Sequence, residues 1–546
     1  MPRRSGLSVG KIPSEEVSPN LSDSAPSISS ESKSQVHTAS AVVAAGASAG
    51  HYEPIAEYEG RHRYDPTAEW DPTEEKRLVR KLDYRICSWV CLMFFALQLD
   101  RGNISQALSD NMLPDLHLTT NDYNTGMTIF FVCFLAAELP SQMVSKKLGP
   151  DVWIPIQMVS WSAVTCCQAA MRNRAGFFAT RALLGMLEGG FIPDAILYLS
   201  YFYKSKELPV RVSYFYTSSH ITPIIAAFIA YGVLHMRGIG NWGGWRWLFI
   251  IEGILTAIIG VLSWFYLPPS PTQTASWFRG KDGWFSEREE IIMVNRILRD
   301  DPAKGGMHNR QGLTLPLLWQ ALLDWDLWPI YILGFTLLQP VTPVESYLTL
   351  NLRSLGFDTF QTNLLTIPSY VLFCVQLIFW TWVSERINNR FLITFFYSVW
   401  VFPLILALRL LPDDANSWVR YAITTLIVGY PYVHSILVSL TSRNAGSVRT
   451  RTVGSAVYNM TVQASSIISS NIYRKDDAPL YRRGNTALLG IIAWNAVATI
   501  LIKAYYVWRN KTREKIWNAM TPKEKDDYLA TTTDEGSKRL DFRFAH

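Results

Sequence analysis

Residues 177–200 read FFATRALLGMLEGGFIPDAILYLS. The run is long and apolar enough to cross a bilayer as a helix, yet it carries Arg181, Glu188 and Asp194. Each such charge costs about 3 kcal/mol or more at bilayer depth, so it persists only where it faces protein or a watery cavity. Arg181 and Glu188 are seven positions apart, which puts them on one helix face, roughly 10 Å apart along the axis. Gly185, Gly189 and Gly190 allow a neighbouring helix to come close. The run therefore holds either an ion pair that glues helices together or an anion site with a protonatable switch beside it.

Outward from this run the chain repeats the pattern. Of its 546 residues 49% are hydrophobic, and they are gathered into long blocks. The mean hydropathy of +0.08 understates this, because polar ends and a polar middle dilute the blocks. Six blocks fall at 86–108, 126–147, 153–172, 177–200, 212–235 and 245–267, and six more at 327–350, 363–384, 391–411, 419–440, 451–472 and 486–508. The pattern predicts an all-α membrane protein with twelve transmembrane helices in two six-helix bundles, the layout of a transporter built around a midplane site. The expected domains are a disordered tail over 1–83, an N-terminal bundle over 84–267, a linker over 268–326, a C-terminal bundle over 327–509 and a tail over 510–546.

The tail is rich in Ser, Pro, Glu and Ala, the composition of a segment that buries too little to fold. Arg3 and Arg4 are followed by no apolar stretch, so no signal peptide is read. Lys76, Arg77, Arg80, Lys81 and Arg85 precede the first block and predict a cytosolic N-terminus. An even number of spans puts both termini and the basic linker on that side. Thr521 and Glu524 flank Pro522 as a capping box, which predicts one short helix in the C-terminal tail. The net charge of +6 is not concentrated in a nucleic-acid-style patch, and the six cysteines lie inside apolar blocks without metal-ligand spacing. Gly238, Gly240 and Gly243 spell G-x-G-x-x-G but join two membrane blocks, so they read as a turn. No enzyme motif, metal site or cofactor is read.

The charges and amides inside the blocks are the candidate site. Arg101 lies roughly 22 Å along the first span, in the outer half, at a depth similar to Arg181. Two guanidinium groups there suit bidentate recognition of a carboxylate, sulfonate or sulfate. Asn103 is beside them; Glu188 and Glu138 fall near mid-depth. Asp194, His220, His434 and Asn459 are secondary candidates. A lone histidine in an apolar helix is more often a packing residue, and Asn459 with Gln463 one turn on is the kind of pair that bonds neighbouring helices.

LDRGNI in the first block, ELPSQMVSKKLGP at the second, TRALLGMLEGGFIP in the fourth and WRWLFIIEG at the sixth resemble the anion:cation symporter family of the major facilitator superfamily (the MFS fold). IYRKDDAPLYRRGN is similar to the fungal allantoate permease branch, and the likeness covers about 84–512. Ser384–Glu385–Arg386 with Arg390 resembles the superfamily's loop motif in degenerate form. The resemblance implies that Arg101 and Arg181 bind an anion, that Glu188 couples protons, and that helices one, four, seven and ten line the cavity. Asp194 departs from it, standing where the family commonly has a small residue; its charge either disfavours anions or pairs with a base. The expected function is proton-coupled uptake of a small organic or sulfur-containing anion, of the allantoate, vitamin or sulfonate class, by alternating access. The expected partners are that anion, protons and the lipid bilayer, with no nucleic acid; the expected form is a monomer in the plasma membrane. An exporter of a secondary metabolite and a non-transporting nutrient receptor are the other readings of the same fold.

Overall fold

The computed structural model describes Pro54 and residues 58–204, 207–300, 319, 323–387, 389–444, 448–532 and 536–546. The expected disorder of 1–53, the parts of the linker over 301–318 and 320–322, and the side chains of His220 and Glu385 lie outside the described residues.

All twelve blocks are helical. The N-terminal bundle is built of α2 (Ser88–Leu108), α3 (Thr120–Leu148), α4 (Pro150–Gln168), α5 (Arg174–Glu188), α6 (Phe191–Ser200), α7 (Leu208–Val233) and α8 (Gly244–Tyr266), preceded by α1 (Pro72–Leu82), which runs into α2 through a π turn. After the linker helix α9 (Glu287–Asp300) come α10 (Trp328–Leu337), α11 (Thr342–Ser346), α12 (Leu348–Ser354), α13 (Thr359–Ile387), α14 (Arg390–Leu410), α15 (Ser417–Val428), α16 (His434–Asn444), α17 (Val448–Ser469), α18 (Arg482–Ala519) and α19 (Pro522–Thr531). Among the described residues, eight helical stretches are at once long and apolar enough to span a membrane. The third and eleventh blocks are helices too polar for that test, and the seventh and tenth are divided into shorter ones.

The fourth block is also divided. Gly190 has φ +92°, a left-handed conformation that side chains other than glycine's rarely adopt, and it ends α5 just after Glu188. In this apolar setting the freed carbonyls need partners. Gln157 of α4 supplies them, its Nε2 donating to the carbonyls of Gly189 at 3.0 Å and Leu187 at 3.3 Å. Glycine also sets how close α5 lies to α3. A Cβ on Gly185 would sit 2.3 Å from the Phe130 carbonyl oxygen, so only glycine permits this approach.

The two bundles meet along α3 against α17 and α7 against α13. One end of the molecule carries the linker and the C-terminal tail; the other is the far end. The described hydrogen bonds between bundles lie at the far end. Asn124 is the hub: its Nδ2 donates to the Tyr473 carbonyl at 2.6 Å, and its Oδ1 accepts from the Tyr347 hydroxyl. Asn363 donates to Ser109 Oγ at 3.0 Å and Asn471 to Thr128 Oγ1 at 2.7 Å. The rings of Tyr347, Tyr473 and Tyr481 pack behind Asn124. These bonds and rings hold the two bundles together at the far end.

Disorder through residue 83 is corrected. Residues 72–82 form α1, closed by an Asp71–Glu74 capping box with Pro72 in the first turn, and Leu78 and Leu82 are buried. The physical reason is the partner: α1 is too charged to bury alone but docks on the linker. Lys81 pairs with Glu289 at 2.7 Å, and Arg63 with Glu290 at 2.9 Å. Arg296 of α9, fully buried, is held by Glu207 at 3.0 Å and the Phe202 carbonyl at 2.6 Å. The C-terminal tail contains the expected capped helix, α19. Beyond it the chain returns as a strap: the Phe544 backbone exchanges two hydrogen bonds with the Asn510 amide (2.8 and 2.9 Å), and that of Ala545 two with Asn444 (2.8 and 3.2 Å).

Candidate functional site

The centre of the N-terminal bundle is an ion pair between two helices. Arg101 of α2 donates from Nε to Glu188 Oε2 of α5 at 2.6 Å; Glu188 is 1% exposed at its side chain and Arg101 20%. Two things bring them together: the glycine face that lays α5 on α3, and the helix break that ends α5 at Glu188. The Arg101 guanidinium lies over Phe134 of α3, 4.8 Å from the ring centroid, a favourable cation–π placement. Glu138 of α3 is a second carboxylate within electrostatic reach of Arg101, and Asp194 of α6 lies next to Glu138 and Ser145.

Arg181 is 2% exposed and donates to Gln168 Oε1 of α4. Glu188, Asp100 and Tyr123 are its charged or polar neighbours. The two arginines thus do not form one fork: the structure divides them, Arg101 on the glutamate and Arg181 on the glutamine. Each keeps a buried nitrogen without a hydrogen-bond partner, Nη2 of Arg101 and Nε of Arg181. Both polar atoms of the fully buried Asn103 and Glu188 Oε1 are in the same condition.

His434 and Asn459 belong to the other bundle. His434 opens α16, stacks on the Tyr458 ring at 5.4 Å and has Nδ1 3.1 Å from its hydroxyl, the satisfied packing role that sequence favours. Asn459 follows Tyr458 on α17 and is part-exposed.

Sequence reasoning gave no role to two further carboxylates. Asp100 is fully buried and accepts from Trp161 Nε1 at 3.1 Å. Glu252 of α8 is fully buried near Asp100, with both oxygens unpartnered. The signal was present: Glu252 stands alone in the apolar run LFIIEGILTAIIG.

The comparisons with known proteins agree with this architecture. The Major Facilitator Superfamily model matches residues 90–470. The chain is 48% identical over 491 residues to a Saccharomyces cerevisiae protein named an uncharacterized transporter, covering 90% of each. It is 29% identical to the MFS transporter prlL of a fungal species, covering 85% of this chain and 93% of that one. Among solved structures, a bacterial homologue of the human lysosomal transporter Spinster, inward-facing and occupied, superposes with a TM-score of 0.54 at 14% identity, over 81% of this chain and 98% of that one. A match across most of the chain, joined to near-half identity along nearly a whole relative, makes this a multi-pass membrane transporter that belongs to the Major Facilitator Superfamily.

Proposed function

We propose that the protein is a proton-coupled carrier of the anion:cation symporter type, in its fungal allantoate permease-like branch. It takes up a small organic or sulfur-containing anion across the plasma membrane, with both termini and the linker cytosolic. The observation that carries this reading is the buried Arg101–Glu188 pair. A buried pair is weak as a source of stability, because desolvation offsets most of the attraction. It is well suited to a switch. While Glu188 is ionised it occupies Arg101. When Glu188 takes a proton its carboxylate is neutralised, the pair is left with the positive charge of Arg101, and Arg101 turns to the substrate anion. Proton and anion occupancy are then linked, each raising affinity for the other. Arg181 and Asn103 offer the remaining donors. Glu138, within electrostatic reach of Arg101, is the second carboxylate for the proton. With the linker cytosolic, the far-end contacts between the bundles serve as the outer gate.

The test is Glu188→Gln in proteoliposomes, assayed by counterflow and by uptake driven by a pH gradient. The amide copies the protonated form, so exchange should persist while gradient-driven accumulation is lost. Accumulation at the wild-type level would refute proton coupling through Glu188.

A further inference from the structure

The C-terminal bundle holds a carboxylate that the mechanism above leaves unused. Glu345 lies on α11, the short helix between the breaks of the seventh block. It is part-exposed, and among the described residues its carboxylate accepts no hydrogen bond and meets no cation. Its electrostatic neighbours are tyrosines from two other helical blocks: Tyr370 of α13, and Tyr430 and Tyr432 in the non-helical stretch between α15 and α16. Tyr430 and Tyr432 have ring centroids 6.1 Å apart, with Phe373 5.1 and 5.0 Å from them. Across the bundle interface Tyr432 and Tyr216 of α7 are electrostatic neighbours, as are Tyr216 and Glu138, which is itself within electrostatic reach of Arg101. The cluster and the ion pair are therefore linked electrostatically across the bundle interface.

Aromatic faces around a carboxylate without a counter-ion are the surroundings that bind an organic cation. The rings attract it through their quadrupoles, and its charge offsets the cost of keeping Glu345 away from bulk water. We infer that the substrate is a bipolar ion: its anionic group goes to Arg101 and Arg181, and an ammonium group, primary or quaternary, goes to Glu345 within the Tyr370–Tyr430–Tyr432 cage. This deepens the anion-carrier reading and rests on it.

Binding to the purified full-length protein in proteoliposomes tests it with three probes. The first is trimethylammoniopropanesulfonate. The second is its isostere with carbon in place of the quaternary nitrogen. The third keeps the ammonium but has an alcohol in place of the sulfonate. The first should bind about ten- to a hundredfold more tightly than the second. Glu345→Gln should erase that preference and leave the isostere's affinity unchanged; Glu345→Asp, which keeps the charge, should retain most of it. Equal binding of the first two probes by the wild type, or a preference that survives Glu345→Gln, overturns the inference while the anion reading stands. Should Glu345→Gln lose the isostere as well, the variant is misassembled, and Glu345→Asp decides by the same comparison. Binding of the third probe as tight as that of the first would overturn the anion reading itself, and the bipolar substrate with it.

Discussion

Asn124 is 2% exposed and joins the bundles at the far end through the Tyr473 carbonyl and the Tyr347 hydroxyl. Asn124→Ala removes both bonds and leaves both partners buried. Each unsatisfied group costs about 1–3 kcal/mol, or about 2–6 kcal/mol together. That cost falls on the sealed state alone, because both groups reach water once the far end opens. At 1.4 kcal/mol per factor of ten, the equilibrium between sealed and open forms should move roughly thirtyfold to roughly twenty-thousandfold towards open. Asn124→Asp keeps the acceptor for Tyr347 but loses the donor to Tyr473, and should fall between. Spin labels at Ile239 and Asp414, in far-end loops of the two bundles and in a background without the native cysteines, would report the change by double electron–electron resonance. Wild type should show mainly the short distance, Asn124→Ala mainly the long one. An unchanged distribution in Asn124→Ala would refute the assignment of this contact as the gate, and would mean that the remaining far-end bonds and the tyrosine stack hold the seal unaided.

Two further outcomes follow from local geometry. Gly185→Ala places a methyl against the Phe130 carbonyl, 2.3 Å away before relaxation, and should cost about 1–3 kcal/mol by forcing α5 from α3, read as a lower melting temperature in detergent; Gly102→Ala, with nothing within 4 Å, is the control that should change little. At the linker end burial pushes the Asp326 carboxyl up, but hydrogen bonds and charge from Arg509, Tyr505 and Arg513 outweigh it and hold the group below its ordinary value of 3.8. A depressed carboxyl stabilises the fold above its unfolded pKa and loses that contribution as pH falls through the folded one. Asp326→Asn should therefore destabilise by about 1–3 kcal/mol, with a melting-temperature gap to wild type that is constant from pH 5 to 8 and closes only below about pH 4.

The twelve blocks were legible because each apolar run reports burial in lipid directly, whatever its partners. What needed the structure was anything that depends on a partner. Asp71, Pro72 and Glu74 carry the same capping signature as Thr521, Pro522 and Glu524, yet α1 sits in a charged stretch and buries only Leu78 and Leu82. Its docking on α9 depends on ion pairs spanning over two hundred residues of chain, Lys81 with Glu289 and Glu74 with Arg288, which no local pattern reveals. The site shows the same division. Arg101, Arg181 and Glu188 were conspicuous as charges in apolar runs, and the seven-residue spacing made Arg181 the natural neighbour of Glu188. The structure gives Glu188 to Arg101 instead, because the partner across the helix packing is nearer than one two turns along the same helix.

The breaks in the helices tie these features together. The fourth block of each bundle stops at a glycine, Gly189–Gly190 in one and Gly429 in the other. At each break a glutamine from a neighbouring helix donates to the glycine carbonyl: Gln157 to Gly189 and Gln376 to Gly429, both at 3.0 Å. Repeating this device in both bundles is costly in apolar surroundings, since every broken turn frees carbonyls that must be re-paired. Its return is positional. Glu188 is the last residue before one break, and Tyr430 and Tyr432 lie just after the other. An unbroken helix would continue the ladder through these positions and fix their side chains on its regular face. The break instead frees these positions from the regular helix face, with the Arg101–Glu188 pair at one break and the Tyr430–Tyr432 rings at the other. The same loosened turns are the places where a helix can bend without breaking its neighbours' hydrogen bonds. The elements that hold these groups are thus also those best able to move when the far end opens.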